Sequence, residues 1–212
     1  MFPKVILLDF DGVIVESVGV KDQAFQKLFQ GYIQYLPQIM EYHLSHNATI
    51  RFTKFHYITE QILKEPYDEQ KEKALSRKFS DLVFENIVQC PFVEGAIKFL
   101  EYFSNRVPLY LISMSPEDEL SKILEKRGLQ KYFQNVYANP TAKSEVFQHI
   151  ISQKKFSPKD AVYIGDSSED YQAAEAIGIP FIGRKSGKEF PKGSFPVFNN
   201  LDEIRAFLIT ER

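Results

Sequence analysis

The sequence predicts an α/β protein: a doubly wound parallel sheet interrupted, after its first strand, by an all-helical insertion. Three observations point there. Short unbroken apolar runs recur and end in polar loops, as strands buried on both faces do. Helical spacing fills the intervals between them, and strands joined through helices give right-handed crossovers in a parallel sheet. From about Glu16 to Gln89, strand signals fade and helical periodicity takes over. The expected organisation is a core made of residues 1–15 and 90–212, with a helical cap at 16–89.

The first run, Val5-Ile6-Leu7-Leu8, leads straight into Asp9, and Asp11 and Gly12 follow. Four apolar residues read as a buried strand. Asp11-Gly12 reads as the turn that leaves it, since Asp tolerates turn geometry and Gly takes positive φ. In the insertion, Phe25, Leu28 and Phe29 share a helical face, and Pro37 separates that helix from Gln38–Leu44. Ser45-His46-Asn47 breaks the run. Phe52, Phe55, Ile58, Ile62 and Leu63 continue at helical spacing, and Pro66-Tyr67-Asp68 restarts a longer helix carrying Leu75, Phe79, Leu82, Val83 and Val88. Alternation then resumes. A helix over Gly95–Phe103 precedes the strand Pro108–Ile112, and Ser115 reads as the N-cap of a helix with Pro116 at its first position, ending at Gly128. Val136–Ala138 is a short third strand and Lys143–Gln153 a helix. Ala161–Ile164 is a fourth strand running into Gly165-Asp166-Ser167-Ser168-Glu169-Asp170. A helix stops at Gly178, Pro180–Ile182 is a fifth strand, Lys185–Ser194 a loop and Leu201–Ile209 a closing helix.

Composition narrows the function. The 212 residues carry a formal net charge of -2, so no broad attraction to nucleic acid or anionic membrane is expected. No run of about eighteen apolar residues is present, so no membrane span is expected. Met1-Phe2-Pro3-Lys4 enters the first strand directly, and a signal peptide is not expected. The single cysteine, Cys90, excludes an internal disulfide and fits a reducing compartment, so a cytoplasmic location is expected. A monomer or dimer acting on a small molecule fits these bounds.

Ligands of open α/β sheets sit outside the carboxyl ends of the strands. Three strand ends carry polar groups there: Asp9 with Asp11, Ser113, and Asp166 with Asp170. Lys143 opens a helix after the third strand. Two acids as close as Asp9 and Asp11 ask for a cation between them. The set suits phosphoryl transfer, in which a carboxylate attacks phosphorus and positive charge surrounds the three other oxygens. Mg²⁺ takes a few hard oxygen ligands, which Asp9 and Asp166 can supply. Lys143 balances charge and the Ser113 hydroxyl holds a phosphoryl oxygen. Gly12 and Met114 border the same place and are expected, with Ser113, to contact the substrate.

Asp9-x-Asp11-Gly12-Val13, Ser113 after a strand, Lys143, and Gly165-Asp166-Ser167-x-x-Asp170 resemble, in order, the four motifs of the haloacid dehalogenase superfamily, and they span nearly the whole chain. The resemblance implies a Rossmann-like core with Asp9 as nucleophile and Asp11 as general acid and base. It implies Mg²⁺ held by Asp9, the backbone carbonyl of Asp11, and Asp166, with Asp170 supporting the metal site and Lys143. The insertion matches the family's helical cap. Many members follow the motif lysine with Pro-x-Pro, whereas this chain has Lys143-Ser144-Glu145-Val146. Lys131, Lys154 and Lys155 are rivals, and Lys143 is preferred because it opens a helix directly after a strand.

Asp11 separates this chain from the dehalogenases, which attack carbon and lack the second acid. The reading is a Mg²⁺-dependent phosphatase for a small phosphomonoester, a sugar phosphate or a phosphoglycolate-like metabolite. A phosphomutase of the beta-phosphoglucomutase type and a non-catalytic binder on the same fold stay open. In the insertion, Arg51 and Lys54 are three apart and share a helix face that suits an anionic or hydroxyl-rich group. His43 and His46 lack the spacing of a zinc site. Arg184 follows the fifth strand, at the active edge or on the surface.

Overall fold

The computed structural model describes residues 2–46, 49, 51–191, 193 and 195–210. The chain forms two compact units, Met1–Val18 with Cys90–Arg212, and Gly19–Gln89. In chain order the elements are β1 (Val5–Leu8), α1 (Val20–Leu28), α2 (Leu36–Ser45), α3 (Arg51–Tyr57), a π-helical turn at Ile58–Ile62, α4 (Glu69–Gln89), α5 (Ala96–Ser104) and β2 (Leu109–Ser113). They continue with α6 (Glu117–Lys126), β3 (Asn135–Ala138), α7 (Lys143–Lys154), β4 (Ala161–Gly165), α8 (Ser168–Ile177), β5 (Phe181–Arg184), β6 (Val197–Phe198) and α9 (Leu201–Thr210).

The first unit is a six-stranded sheet in the order β3-β2-β1-β4-β5-β6, with every neighbouring pair parallel. This is the doubly wound α/β sheet expected from the alternation. β1 lies at its centre, and all four of its side chains are fully buried, as the unbroken apolar run requires. Leu8 faces Leu111 on β2 and Ile164 on β4. That register brings Asp9, Ser113 and Asp166 to the same edge, within one residue of level. β6 was not visible in the sequence: two residues carry no periodicity. Of the expected loop before it, residues 185–191 and Gly193 have neither helix nor strand, while Lys192 and Ser194 lie outside the described residues.

The helical unit packs on aromatic rings. Phe25 contacts Phe29, Phe55 and Phe79 at centroid distances of 5.6, 5.6 and 5.4 Å, a geometry that adds to the free energy of burying these rings. α2 keeps Pro37 in its first turn, where no N–H is missed. Asp68 caps α4 by accepting from the Lys71 amide at 2.7 Å. The run expected as one helix across Phe52–Leu63 widens into a π turn at Ile58–Ile62, a change that side-chain periodicity does not reveal. Asn47, the end of the polar break, lies outside the described residues.

Inside this unit His43 stacks on Phe25 with 3.9 Å between ring centroids. Its Nε2 lies 2.8 Å from Asp22 Oδ1. The Lys54 ammonium sits 3.3 Å from His43 Nδ1 and donates to the His43 carbonyl at 3.2 Å. An ammonium at Nδ1 leaves Nε2 to carry the proton given to Asp22. Burial lowers the His43 pKa, with Lys54 adding and Asp22 opposing. The unfolded chain therefore takes up this proton first, so the group's contribution to stability is complete above about pH 6.5 and is lost as pH falls below it. We predict that the melting temperature drops as pH falls from roughly 7 to 5, and that His43→Gln flattens the drop. An equally steep drop in the variant would assign the effect to other groups.

Candidate active site

The site is built at the end of β1. The Asp9 amide donates to the Ile164 carbonyl at 3.0 Å, which fixes its backbone on the β4 ladder. Its Oδ1 accepts from the Phe10 amide at 2.8 Å and lies 3.0 Å from Lys143 Nζ. The chain then turns tightly. The Phe10 carbonyl accepts from Ile14 at 2.9 Å, and the Gly12 amide donates to Val15 at 2.9 Å. Gly12 has φ of 74°, and a Cβ there would stand 2.1 Å from Asp166 Oδ2. Positive φ and this close approach both require glycine.

Lys143 opens α7 and reaches back to the sheet edge. Its ammonium meets Asp9, Asp170 Oδ1 at 2.7 Å and the Tyr163 hydroxyl at 3.1 Å. Asp170 is saturated. Its Oδ1 accepts from Lys143 and from Tyr163 at 2.6 Å. Its Oδ2 accepts from the amides of Asp166 and Ser167, each at 3.1 Å, and from the Ser167 hydroxyl at 2.7 Å. Ser167 and Asp170 form the capping box of α8, so local helix chemistry and the site share these two residues.

The charges are set by burial and by one another. Burial pushes the Asp9 carboxyl up, and Asp170, Asp166 and Asp11 add to this while Lys143 pulls it back. Burial also acts to raise Asp170, but Lys143 and its other donors outweigh it and hold the carboxyl below its usual range. For Lys143 burial works against the charge, and Asp9 with Asp170 more than offset it, so the ammonium is kept. Burial and then Asp170 hold the Tyr163 hydroxyl protonated and a donor.

Asp166 is fully buried, and its Oδ2 has no hydrogen-bond partner. Burial raises its pKa, against the nearby Lys188. Asp9, Asp166 and Asp170 each offer an oxygen within 4.8 Å of the others. An orphaned buried carboxylate oxygen in an all-oxygen cluster fits a hard divalent cation such as Mg²⁺.

Asp11 is held by hydroxyls. Ser17 donates to its Oδ1 at short range and Ser115 to its Oδ2 at 3.4 Å. This corrects the reading of Ser115 as a helix cap: the N-cap of α6 is Pro116, no side chain caps it, and Ser115 is buried with its hydroxyl toward Asp11. Ser113 is fully buried at the end of β2, and its Oγ accepts from the Ser115 amide at 3.2 Å. Met114, between them, is half exposed. Arg184 is buried and turned inward: it donates to the Gly12 carbonyl at 3.1 Å, to Asn199 O at 3.2 Å and, by two nitrogens, to the Glu16 carboxylate. It clamps the turn that carries Asp11.

A family model described as haloacid dehalogenase-like hydrolase matches residues 6–184. The chain belongs to this family. Among its relatives, a phosphorylated carbohydrates phosphatase of Thermotoga maritima is 23% identical over 186 residues, covering 84% of this chain and 82% of that protein. Phosphoglycolate phosphatase 1 of Pseudomonas aeruginosa is 21% identical, covering 84% of this chain and 67% of the relative. The crystal structure of a predicted phosphoglycolate phosphatase from Haemophilus somnus superposes with a TM-score of 0.76 at 16% identity, covering 98% of each chain. Such a likeness carries the fold, and it extends over the whole hydrolase chain.

Of the residues singled out in the sequence, Asp9, Lys143, Asp166 and Asp170 come together, with Asp11 and Gly12 on the adjoining turn and Ser113 at the end of β2. Among the rival lysines, Lys131 lies over the Tyr132 ring and Lys155 ends α7 with positive φ, while the Lys154 side chain lies outside the described residues. Arg51 and Lys54 do not form a shared basic face. Arg51 donates to Ser80 at 3.0 Å, whereas Lys54 is buried on His43. The Lys54 ammonium lies over the Phe25 ring, 5.8 Å from its centroid, and the interior of its own unit takes the side chain in. Sequence reasoning missed Lys188, Tyr163 and Ser17. Lysine in a loop and tyrosine in a strand carry no signal of their own, but Ser17 lies six residues after Asp11, within reach of a turn.

Proposed function

We propose that this hydrolase is a Mg²⁺-dependent phosphatase that cleaves a small phosphomonoester, a sugar phosphate or a phosphoglycolate-like metabolite, through an aspartyl-phosphate at Asp9. The observation that carries the proposal is the buried Asp9 carboxylate, 3.0 Å from Lys143 and grouped with Asp166 in an oxygen cluster of ionic size. The names of the two relatives, a phosphorylated carbohydrates phosphatase and a phosphoglycolate phosphatase, support the substrate class.

An Asp9 oxygen forms a bond to phosphorus as the ester P–O bond breaks. Asp11, oriented by Ser17 and Ser115, gives its proton to the departing alcohol oxygen. Water then attacks the phosphorus of the acyl phosphate and Asp11 takes its proton, so phosphate leaves and the Asp9 carboxylate is restored. Lys143 and the Ser113 hydroxyl stabilise the transferring oxygens. The metal would be held by Asp9, Asp166 and the Asp11 carbonyl, and it supplies charge neutralisation for the phosphoryl group. Asp170, its oxygens already taken by five donors, positions Lys143 and the Asp166 backbone rather than binding the ion. The helical unit is assigned the role of cap, with Arg51 as its candidate for reading the organic part of the substrate.

Phosphate release from a panel of phosphorylated metabolites, with and without Mg²⁺, tests the proposal. Mg²⁺-dependent release is expected; no release from any ester by folded protein would overturn it. Gly12→Ala is expected to lower the rate about 100-fold, because displacing Asp166 or the turn by an ångström misaligns the reacting groups. Wild-type rates in that variant would show that the close approach is not needed.

A further inference from the structure

Lys188 has no counterpart among the four motifs, yet its ammonium lies 2.9 Å from Asp166 Oδ1. The fully buried Asp166 carboxylate is the one whose other oxygen is orphaned. Lys188 therefore sits on a group that a divalent ion would claim. We propose that Lys188 is a resident competitor for the metal site, which leaves Asp166 when a divalent cation binds and thereby couples the 185–191 loop to metal occupancy. The inference rests on the metal assignment above and concerns how that site is loaded.

The loop is built for such a movement. Its start is fixed by Arg184, clamped to Gly12 and Glu16. Its far end is fixed by Phe190, which packs edge-on against Phe181 and Phe195. Between these anchors the chain has no helix or strand, and Gly187, with φ of 98°, has open space around it. The Lys188 side chain is 43% exposed, so its ammonium can return to water at small cost, unlike Lys143 at 12%. Charge points the same way. Asp9, Asp11, Asp166 and Asp170 carry four formal negative charges against the one positive charge of Lys143; Lys188 offsets one of the remaining three, and a divalent ion in its place offsets two. An ammonium and a divalent ion on one carboxylate repel at a few ångströms, so one displaces the other.

Calorimetric titration of the full chain with MgCl₂ alone, without substrate, tests this. Lys188→Gln is expected to bind Mg²⁺ at least about tenfold more tightly than the wild type, and Lys188→Arg, which keeps the cation, to bind like the wild type. Asp166→Asn should abolish binding in either background. Lys188→Gln binding with unchanged or weaker affinity, beside a wild type that does bind, would overturn the competition alone. A wild type that binds no Mg²⁺ would overturn the metal assignment together with it.

Discussion

Asp9→Asn is expected to reduce phosphate release about 10⁴-fold or more while the protein stays folded. The amide is isosteric and keeps an oxygen to accept from the Phe10 amide and from Lys143. It carries no charge and does not attack phosphorus. Folding should not suffer, because burial already opposes charge at this position. A neutral group there relieves the repulsion among four acids, so the melting temperature is expected to hold or rise. Release measured beside a thermal melt separates the two effects. A folded variant within about tenfold of the wild-type rate would assign the attack to another group.

Lys143→Met has the second largest expected effect, and it falls on both stability and rate. The ammonium lies between Asp9 and Asp170, with its side chain 12% exposed. Removing it leaves two buried carboxylates facing each other without a cation. Breaking a buried pair in this way costs about 3–5 kcal/mol, which lowers the melting temperature by roughly 10 °C in a chain of this size. The loss should shrink as pH falls, because the stranded carboxylates, pushed upward, become protonated. The rate is expected to fall about 10²–10³-fold through lost stabilisation of the phosphoryl oxygens. A variant as stable as the wild type at neutral pH would contradict the pairing seen here.

The centre of the fold was legible because β1, β2 and β4 are short apolar runs, each ending on or just before a residue with chemistry to do. Asp9, Ser113 and Asp166 were found at one edge because a parallel sheet leaves no other place for them. Lys143 was legible for a related reason: a helix start after a strand returns its first side chain to that edge. What escaped is what depends on direction in space. Ser115 before Pro116 has the composition of a cap, yet its hydroxyl turns to Asp11. Tyr163 reads as one more apolar strand residue, although its hydroxyl lies 2.6 Å from Asp170. Arg51 and Lys54 have the spacing of a shared face, but burial took Lys54 into the interior of the helical unit. Lys188 sits in a Gly- and Lys-rich loop that looks like solvated surface, and only the folded chain brings it to Asp166.

In this mechanism Asp9 carries the phosphoryl group during turnover. Acid-quenching the enzyme during hydrolysis of its best substrate and mapping the peptides by mass would trap that group. One added phosphoryl group is expected on the peptide containing Asp9, lost at neutral pH as an acyl phosphate is, and absent from Asp9→Asn. A phosphoryl group on a different residue, or steady turnover with none trapped on any peptide under conditions that preserve acyl phosphates, would contradict it.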